Sequence, residues 1–367
     1  MGKLLYITTT QFDKQSTGIG HKIFKQIELF KSLGFDVEVY NQFTDTRLMT
    51  RLLYLLPFCN LKYSYKEIKS ENNVDVIYLR YFLSDVKLIE MLHTVRDNNP
   101  YVKIIIEIPT YPYDGEVFFL APKILKDHVH RMKLAGLVDR IVTFSDDAEI
   151  FGVPTINISN AVDTDKIKIN HFIDPGNHEI HLIGVAQFDF WHGYDRIIEG
   201  LHRYYLQGGK IQFIFHIVGY AKHHKVLDEY NKLVEKYQLQ NHVIFHGKQY
   251  GESLDQIYSQ CSIAVDSLGR HRSNVKYNSS LKGKEYMAKG LPSISGVKTE
   301  MDRVNGFPYY YRVPADDSPV NFQEVELFYH SVYDERTREQ VIDEIRAYCE
   351  AHFTFEKAYK PLLDYLL

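Results

Sequence analysis

Apolar positions along the chain change period repeatedly, and each change marks an element. Leu4–Thr8 is a short continuous apolar run. The glycine-bearing turn Ser16-Thr-Gly-Ile-Gly-His21 follows, then apolar residues at Ile23, Ile27, Phe30 and Leu33, three or four apart, until Gly34. That order predicts strand, tight turn, helix. Phe35–Tyr40 reads as the next strand, and the alternation continues with strands at Val74–Arg80, Ile104–Ile108 and Arg140–Ser145 and helices at Leu88–Asn98 and Lys123–Ala135. A second series begins after Asn160-Ala-Val-Asp163. It has strands at Glu179–Val185, Ile211–Val218, Val243–His246, Ile263–Ser267 and Pro292–Ser295, with helices at Tyr194–Gln207, Lys225–Gln238, Ser253–Gln260 and 281–289. Strands alternating with helices build parallel sheets covered on both faces. The expected fold class is therefore α/β, with two doubly wound domains, 1–170 and 171–350, facing across a cleft. The polar segment Ile167–Asn177, with Pro175 and Gly176, reads as the hinge. In such sheets ligands bind at the carboxyl ends of the strands.

A chain of 367 residues exceeds what one core usually serves, in keeping with two domains. With 45% hydrophobic and 25% charged residues it is neither disordered nor fibrous, and a net charge of −4 argues against a nucleic-acid partner. Cys59, Cys261 and Cys349 are too widely spaced for a disulfide framework or a structural zinc site. The apolar run at the N-terminus is too short for a signal peptide, and no run approaches a membrane span. A cytoplasmic protein is expected, attached at most to the inner face of a membrane.

The stretch with most chemistry is Leu281-Lys-Gly-Lys-Glu-Tyr-Met-Ala-Lys-Gly-Leu-Pro-Ser-Ile294. Asn278, Ser279 and Ser280 offer N-caps, Lys282 adds positive charge where the helix dipole already favours an anion, and Glu285 lies one turn in on the same face. Gly290 supplies a left-handed end and Pro292 stops the helix. The residues alone serve a phosphate-holding helix and a surface helix with an ion pair equally well.

Together with Gly18-Ile-Gly20 in the first turn, this stretch resembles a GT-B-fold glycosyltransferase of family 4 type. The resemblance extends to TGIGHKIFKQIELFKSLGFDVEVY, VDVIYLRY, IEIPTYPYDGE, ISNAVDTDKI, WHGYDRIIEGL and FHGKQYGESLDQIYSQCSIAVDSL, nearly the whole chain. IPTYPYD suggests the bacterial polysaccharide-assembly branch, hence capsule or exopolysaccharide synthesis. The resemblance implies two Rossmann-like domains, with acceptor bound by the first and donor by the second, and a C-terminal helix, residues 351–367, crossing back onto the first. It implies transfer from a nucleotide-diphosphate sugar, with UDP as the expected nucleotide, to a saccharide or lipid-linked saccharide. Retention at the anomeric carbon is expected, with no cofactor and no metal, since the nucleotide sugar is a substrate.

Position by position, Glu285 matches the second Glu of the family's Glu-x7-Glu element, a ribose ligand, while the first Glu is replaced by Tyr277. The family's phosphate-binding Arg and Lys fall on Gln187 and His192. Diphosphate charge must then be met by Lys282, Arg270, Arg272, the helix after Ser279 and Ser280, and by His192 when protonated. Gly18 and Gly20 would let the backbone approach the donor. His192 reads equally well as a capping residue.

In Ile108-Pro-Thr-Tyr-Pro-Tyr-Asp-Gly-Glu116 two prolines stiffen a loop at the ligand-binding edge, so Thr110, Tyr111, Tyr113, Asp114 and Glu116 are expected to face an acceptor sugar. Arg80 is available to an acceptor phosphate or to Asp85. Asp163-Thr-Asp165 resembles a metal motif of another fold, but here it more naturally caps the next helix. Arg47–Lys69 and Lys123–Lys133 carry enough basic residues to touch anionic lipid, although a solvated basic helix face explains each alone. A dinucleotide oxidoreductase is set aside because Ile23 occupies the third glycine position of Gly-x-Gly-x-x-Gly. The surviving rival is a catalytically silent transferase-like subunit that binds a saccharide or a partner enzyme, which the changes at Tyr277, Gln187 and His192 keep open.

Overall fold

Strand β1 (Lys3–Thr8) pairs in parallel with β2 (Asp36–Asn41) on one side and β3 (Val76–Arg80) on the other. With β4 (Lys103–Ile108), β5 (Arg140–Thr143), β6 (Glu149–Ile150) and β7 (Val153–Asn157) they form a seven-stranded sheet in the order β2-β1-β3-β4-β5-β7-β6. Its central strands are near-continuous apolar runs because helices cover both faces: α1 (Gly18–Ser32), α2 (Val86–Asn98) and α3 (Ala121–His130). This computed structural model describes residues 2–9, 18–41, 74–115, 121–173, 179–221 and 225–367. Glu116 and the basic stretch Arg47–Lys69 lie outside those residues, as does the loop before Gly18.

The second sheet has the order β10-β9-β8-β11-β12-β13, all parallel, built from β8 (Glu179–Phe188), β9 (Gln212–Ala221), β10 (Val243–Gly247), β11 (Ile263–Val265), β12 (Ser293–Ser295) and β13 (Tyr310–Arg312). Helices α4 (Asp195–Leu206), α5 (Lys225–Lys236), α6 (Gly251–Tyr258) and α7 (Leu281–Ala288) connect its strands. Then α8 (Phe322–Tyr333) and α9 (Arg338–His352) complete the core around Phe213, Phe215, Ile294 and Phe322. The strand order reverses between β8 and β11, and in open sheets of this kind the carboxyl ends at such a reversal are where a ligand crevice is expected.

The chain divides into Met1–Ile158 with Ala358–Leu367, and Ser159–Lys357. It changes unit at 158/159 rather than 170/171, because Asn160 N donates to Ser279 Oγ at 2.9 Å and Asn160 Nδ2 to the Ser279 carbonyl. Of the segment expected to be the hinge, Pro175 and Gly176 lie outside the described residues, and the part up to Ile173 is held within the second unit: Asn170 N bonds the Lys289 carbonyl at 3.0 Å and Ile173 N that of Ser259 at 2.7 Å. Arg346 reinforces this by donating to the carbonyls of Thr164, Ile167 and Ala288. The returning C-terminal residues begin with α10 (Phe355–Ala358) and α11 (Lys360–Leu366). They join the first unit through Tyr359, whose hydroxyl accepts from Gln26 Nε2 at 2.8 Å, and through Lys103 Nζ on the Tyr365 carbonyl at 3.0 Å.

Candidate functional site

Helix α7 starts as its sequence dictates. Ser280 is the N-cap, its Oγ accepting from Gly283 N at 3.2 Å, and the remaining first-turn N–H groups have no partner inside the helix. Gly290 takes φ +79° at the other end. Buried Tyr286 fixes the helix to the sheet, its hydroxyl accepting from Val185 N at 3.0 Å. Lys284 is buried against Glu300 at 2.9 Å. Lys282 and Glu285, three apart, share one side of the first turns, with the Lys282 ammonium 3.2 Å from Ser267 Oγ in the segment after β11.

A second turn completes that edge. After β8, Phe190–His192 forms one 3₁₀ turn capped by Asp189, and Gly193 follows at φ +65°. A Cβ on Gly193 would lie 2.6 Å from Gly269 N, so only glycine lets this turn press on the loop after β11. His192 O accepts from Leu268 N at 2.8 Å and Trp191 O from Gly269 N at 3.1 Å. His192, Arg270 and Lys282 are thereby brought close enough to affect one another electrostatically.

Protonation follows from burial. The Lys282 ammonium is lowered to about 8, chiefly by burial and opposed by Asp266, whose Oδ1 is 3.6 Å away. Glu285 is raised to about 7 by burial, with Lys282 and Lys289 pulling the other way. Among the described residues its carboxylate has no hydrogen bond or ion pair, so both oxygens are available to a ligand's hydroxyl groups. Burial, then Lys282 and Arg270, hold His192 well below the usual histidine range. Its Nδ1 accepts from Asp189 N at 2.9 Å in a capping box. His192 is thus a neutral cap, which corrects its expected service as a protonated phosphate ligand.

Other expected donor residues are already engaged. Arg272 makes a two-pronged contact with Asp195 at 2.9 and 2.6 Å and a third with Asp317 at 2.7 Å, so its charge is spent inside the protein, unlike the expectation. Arg270 stacks over Trp191, 5.5 Å from the ring centroid. Ser279 is buried, bonded to Ser159 at 2.9 Å and to Glu300, which removes its hydroxyl from ligand duty. Tyr277 is buried with Arg303 over its ring, not turned to a sugar. Gln187 is exposed at the end of β8, where it accepts from the Tyr220 hydroxyl at 3.1 Å. Gly18 opens α1 and Gly20 is buried within it. Asp163 precedes the short turn Thr164–Lys166 without capping it and pairs with Lys166 at 3.5 Å instead.

In the first unit the carboxyl edge is organised by Glu107, which is fully buried. It receives Arg80 at 2.7 Å, Tyr78 at 2.5 Å and Gln26 at 2.5 Å, with Lys22 Nζ at 3.7 Å. Arg80 therefore pairs with Glu107 and not with Asp85, which instead caps α2 by accepting from Leu88 N at 2.9 Å. In the proline loop, Thr110 and Tyr111 are half-buried, and Tyr111–Pro112 is cis. Tyr113 turns inward, contrary to expectation, and donates to Asp127 at 2.6 Å. Asp114 is held by Arg131 at 2.8 Å and His128 at 3.2 Å. Of the cations expected on a basic face, Lys126 is buried, Arg131 is spent on Asp114 and Asp127, and Lys133 is exposed. The exposed face carries Leu125, Val129 and Met132 instead.

Sequence reasoning missed Asp266, Lys284 and Glu300. A charged residue directly after the apolar run Ile263-Ala-Val265 was the available signal for Asp266.

Residues 166–297, which contain this whole edge, match the family described as glycosyl transferases group 1. No curated protein sequence matches the chain. Among solved structures it is similar to a glycosyltransferase from Rickettsia africae (12% identity, 100% of this chain and 97% of that one, TM-score 0.66). It is also similar to HepE from Anabaena in complex with UDP and glucose (12%, 100% and 99%, TM-score 0.61). A third likeness is to sucrose-phosphate synthase from Thermosynechococcus elongatus (15%, 100% and 98%, TM-score 0.62). The chain thus has the GT-B fold of glycosyltransferases, and residues 166–297 within its second unit are similar to the glycosyl transferases group 1 family.

Proposed function

We propose that the chain is a retaining glycosyltransferase that takes a sugar from a nucleoside-diphosphate sugar, with UDP as the nucleotide, to a saccharide or lipid-linked saccharide in surface polysaccharide synthesis. The observation that carries this is Glu285: a half-buried carboxylate without a partner among the described residues, one turn into a capped helix beside Lys282, whose ammonium reaches the segment after β11. Ribose hydroxyls supply the donors it lacks, and Lys282, Arg270 and the α7 N-terminus receive the diphosphate. Charge grows on the leaving diphosphate as the glycosidic bond breaks, so donors already in place lower the barrier. The nucleotide is supported by the UDP held in HepE. No protein nucleophile is assigned; same-face attack with a donor phosphate oxygen taking the acceptor proton fits this set.

Both charges are right only in a narrow window. Glu285 is ionised above about 7 and Lys282 is charged below about 8. Turnover is therefore expected to be greatest between those values. Replacing Glu285→Ala should lower turnover of UDP-sugars at least ~100-fold, on the scale of losing a buried charged hydrogen-bond partner. Unchanged turnover would remove the ribose role. The silent-subunit reading is favoured by the buried Tyr277 and the spent Arg272. It is the one left standing if purified protein binds nucleotide yet neither transfers nor hydrolyses any nucleotide sugar.

In the first unit, the half-buried Thr110 and Tyr111 remain the side chains we place nearest an acceptor. The exposed Leu125, Val129 and Met132 on and after α3 would meet a membrane bearing a lipid-linked acceptor.

A further inference from the structure

Asp266 follows β11 and is 2% exposed, yet its Oδ1 accepts no hydrogen bond. A buried carboxylate oxygen left without a donor is destabilising, and such atoms in a folded protein call for a reason. It pairs with Lys282, whose Nζ lies 3.6 Å from that oxygen, beyond ordinary hydrogen-bond distance. Lys282 gives one N–H to Ser267 Oγ at 3.2 Å. Of three donors on the ammonium, two thus have no hydrogen-bond acceptor among the described residues.

The charged and titratable groups facing Lys282 are few. Asp266 comes from the loop after β11, Arg270 from the turn beyond it, His192 from the turn after β8, and Glu285 from α7 itself. Arg270 works to remove the proton from Lys282, burial does the same more strongly, and Asp266 is the strongest opposing influence. A bare buried ammonium in this position would shed its proton instead of waiting for a ligand.

We propose that Asp266 is a positioning residue that keeps Lys282 charged and aimed at the crevice, and that the donor diphosphate takes over that charge on binding. The pairing is loose by design of its geometry: Coulomb attraction sustains the charge, while the missing hydrogen bond leaves the N–H donors to phosphate oxygens. This rests on the reading of the crevice as a nucleotide-sugar site, and it adds a residue that neither the family match nor the motif singles out.

The test uses the full chain and lysine-selective ¹³Cε NMR, the Lys282 resonance being assigned by its loss in Lys282→Met. In Asp266→Asn that resonance should titrate about one pH unit or more lower than in the wild type, and Asp266→Glu should restore it. UDP binding by Asp266→Asn should nearly match the wild type at pH 6 and weaken about fivefold or more at pH 8. UDP added to the wild type should move the same titration upward, a measurement that does not require either Asp266 variant to fold. Identical Lys282 titration in wild type and Asp266→Asn overturns the proposal, as does an equal loss of affinity at every pH. If the wild type binds no UDP while the Asn variant still shifts the resonance, the donor reading falls and the handover with it, but the influence of Asp266 on Lys282 stands.

Discussion

Burial decides protonation in the second unit well away from α7. His181 Nδ1 lies 2.8 Å from His216 Nε2, and His216 Nδ1 lies 2.8 Å from His246 Nε2, with Glu179 3.0 Å from His181 Nε2 at one end. The carboxylate accepts, so the rings line up in one tautomeric sense, each donating from Nε2 toward Glu179. His216 is lowered to about 3 by burial and by its two histidine neighbours. A base depressed in the folded state is protonated first in the unfolded one. Its contribution is therefore intact above about 6.5 and is lost as pH falls from there toward about 3. From pH 7 to 4.5 one such group accounts for about 2.5 kcal/mol. Urea unfolding at those two pH values should show a smaller loss of stability in His216→Gln than in the wild type; equal losses would refute it. The sequence shows three histidines on three strands but not that their register brings them together, since strand pairing is a long-range property. Likewise Arg270 and Arg272 look alike in Gly269-Arg-His-Arg272, and only packing reveals that Asp195 and Asp317, distant in sequence, engage the second.

Helix α7 was legible because its determinants are local: the N-cap Ser280, the left-handed Gly290 and the stop at Pro292 are all read within a few residues. The helix expected at Lys123–Ala135 instead ends at His130 and tightens into a 3₁₀ turn at Arg131–Leu134. Its charges were misplaced by pattern alone, since nothing local says that Lys126 would be buried or that Asp114 would engage Arg131. The short antiparallel pair β6 and β7 was not anticipated, with two and five residues and Pro154 within. The apolar Leu125, Val129 and Met132 predict membrane attachment by insertion rather than by charge. Flotation with liposomes containing anionic lipid should survive 0.5 M salt and be lost in Leu125→Asp with Val129→Asp; binding that salt abolishes, or that the double variant retains, would contradict it.

At the scale of the whole chain, the two doubly wound sheets followed from the alternation of apolar runs and helical periods, which is repeated often enough to outweigh errors at single elements. The boundary between units was less legible. Composition favoured the polar segment with Pro175 and Gly176, whereas attachment is decided by specific contacts such as Asn160 to Ser279 and Asn170 to Lys289. The first unit's site was the least legible, because the loop that looked like an acceptor platform spends Tyr113 and Asp114 on its own support.

The claim on which the rest depends is that the edge formed by His192, Arg270, Lys282 and Glu285 holds a nucleoside diphosphate. Calorimetric titration of the full chain with UDP between pH 7 and 8 should show one site per chain, weakened about tenfold or more in Lys282→Met. No heat with UDP, ADP or GDP across that range, or an undiminished affinity in the variant, would contradict it.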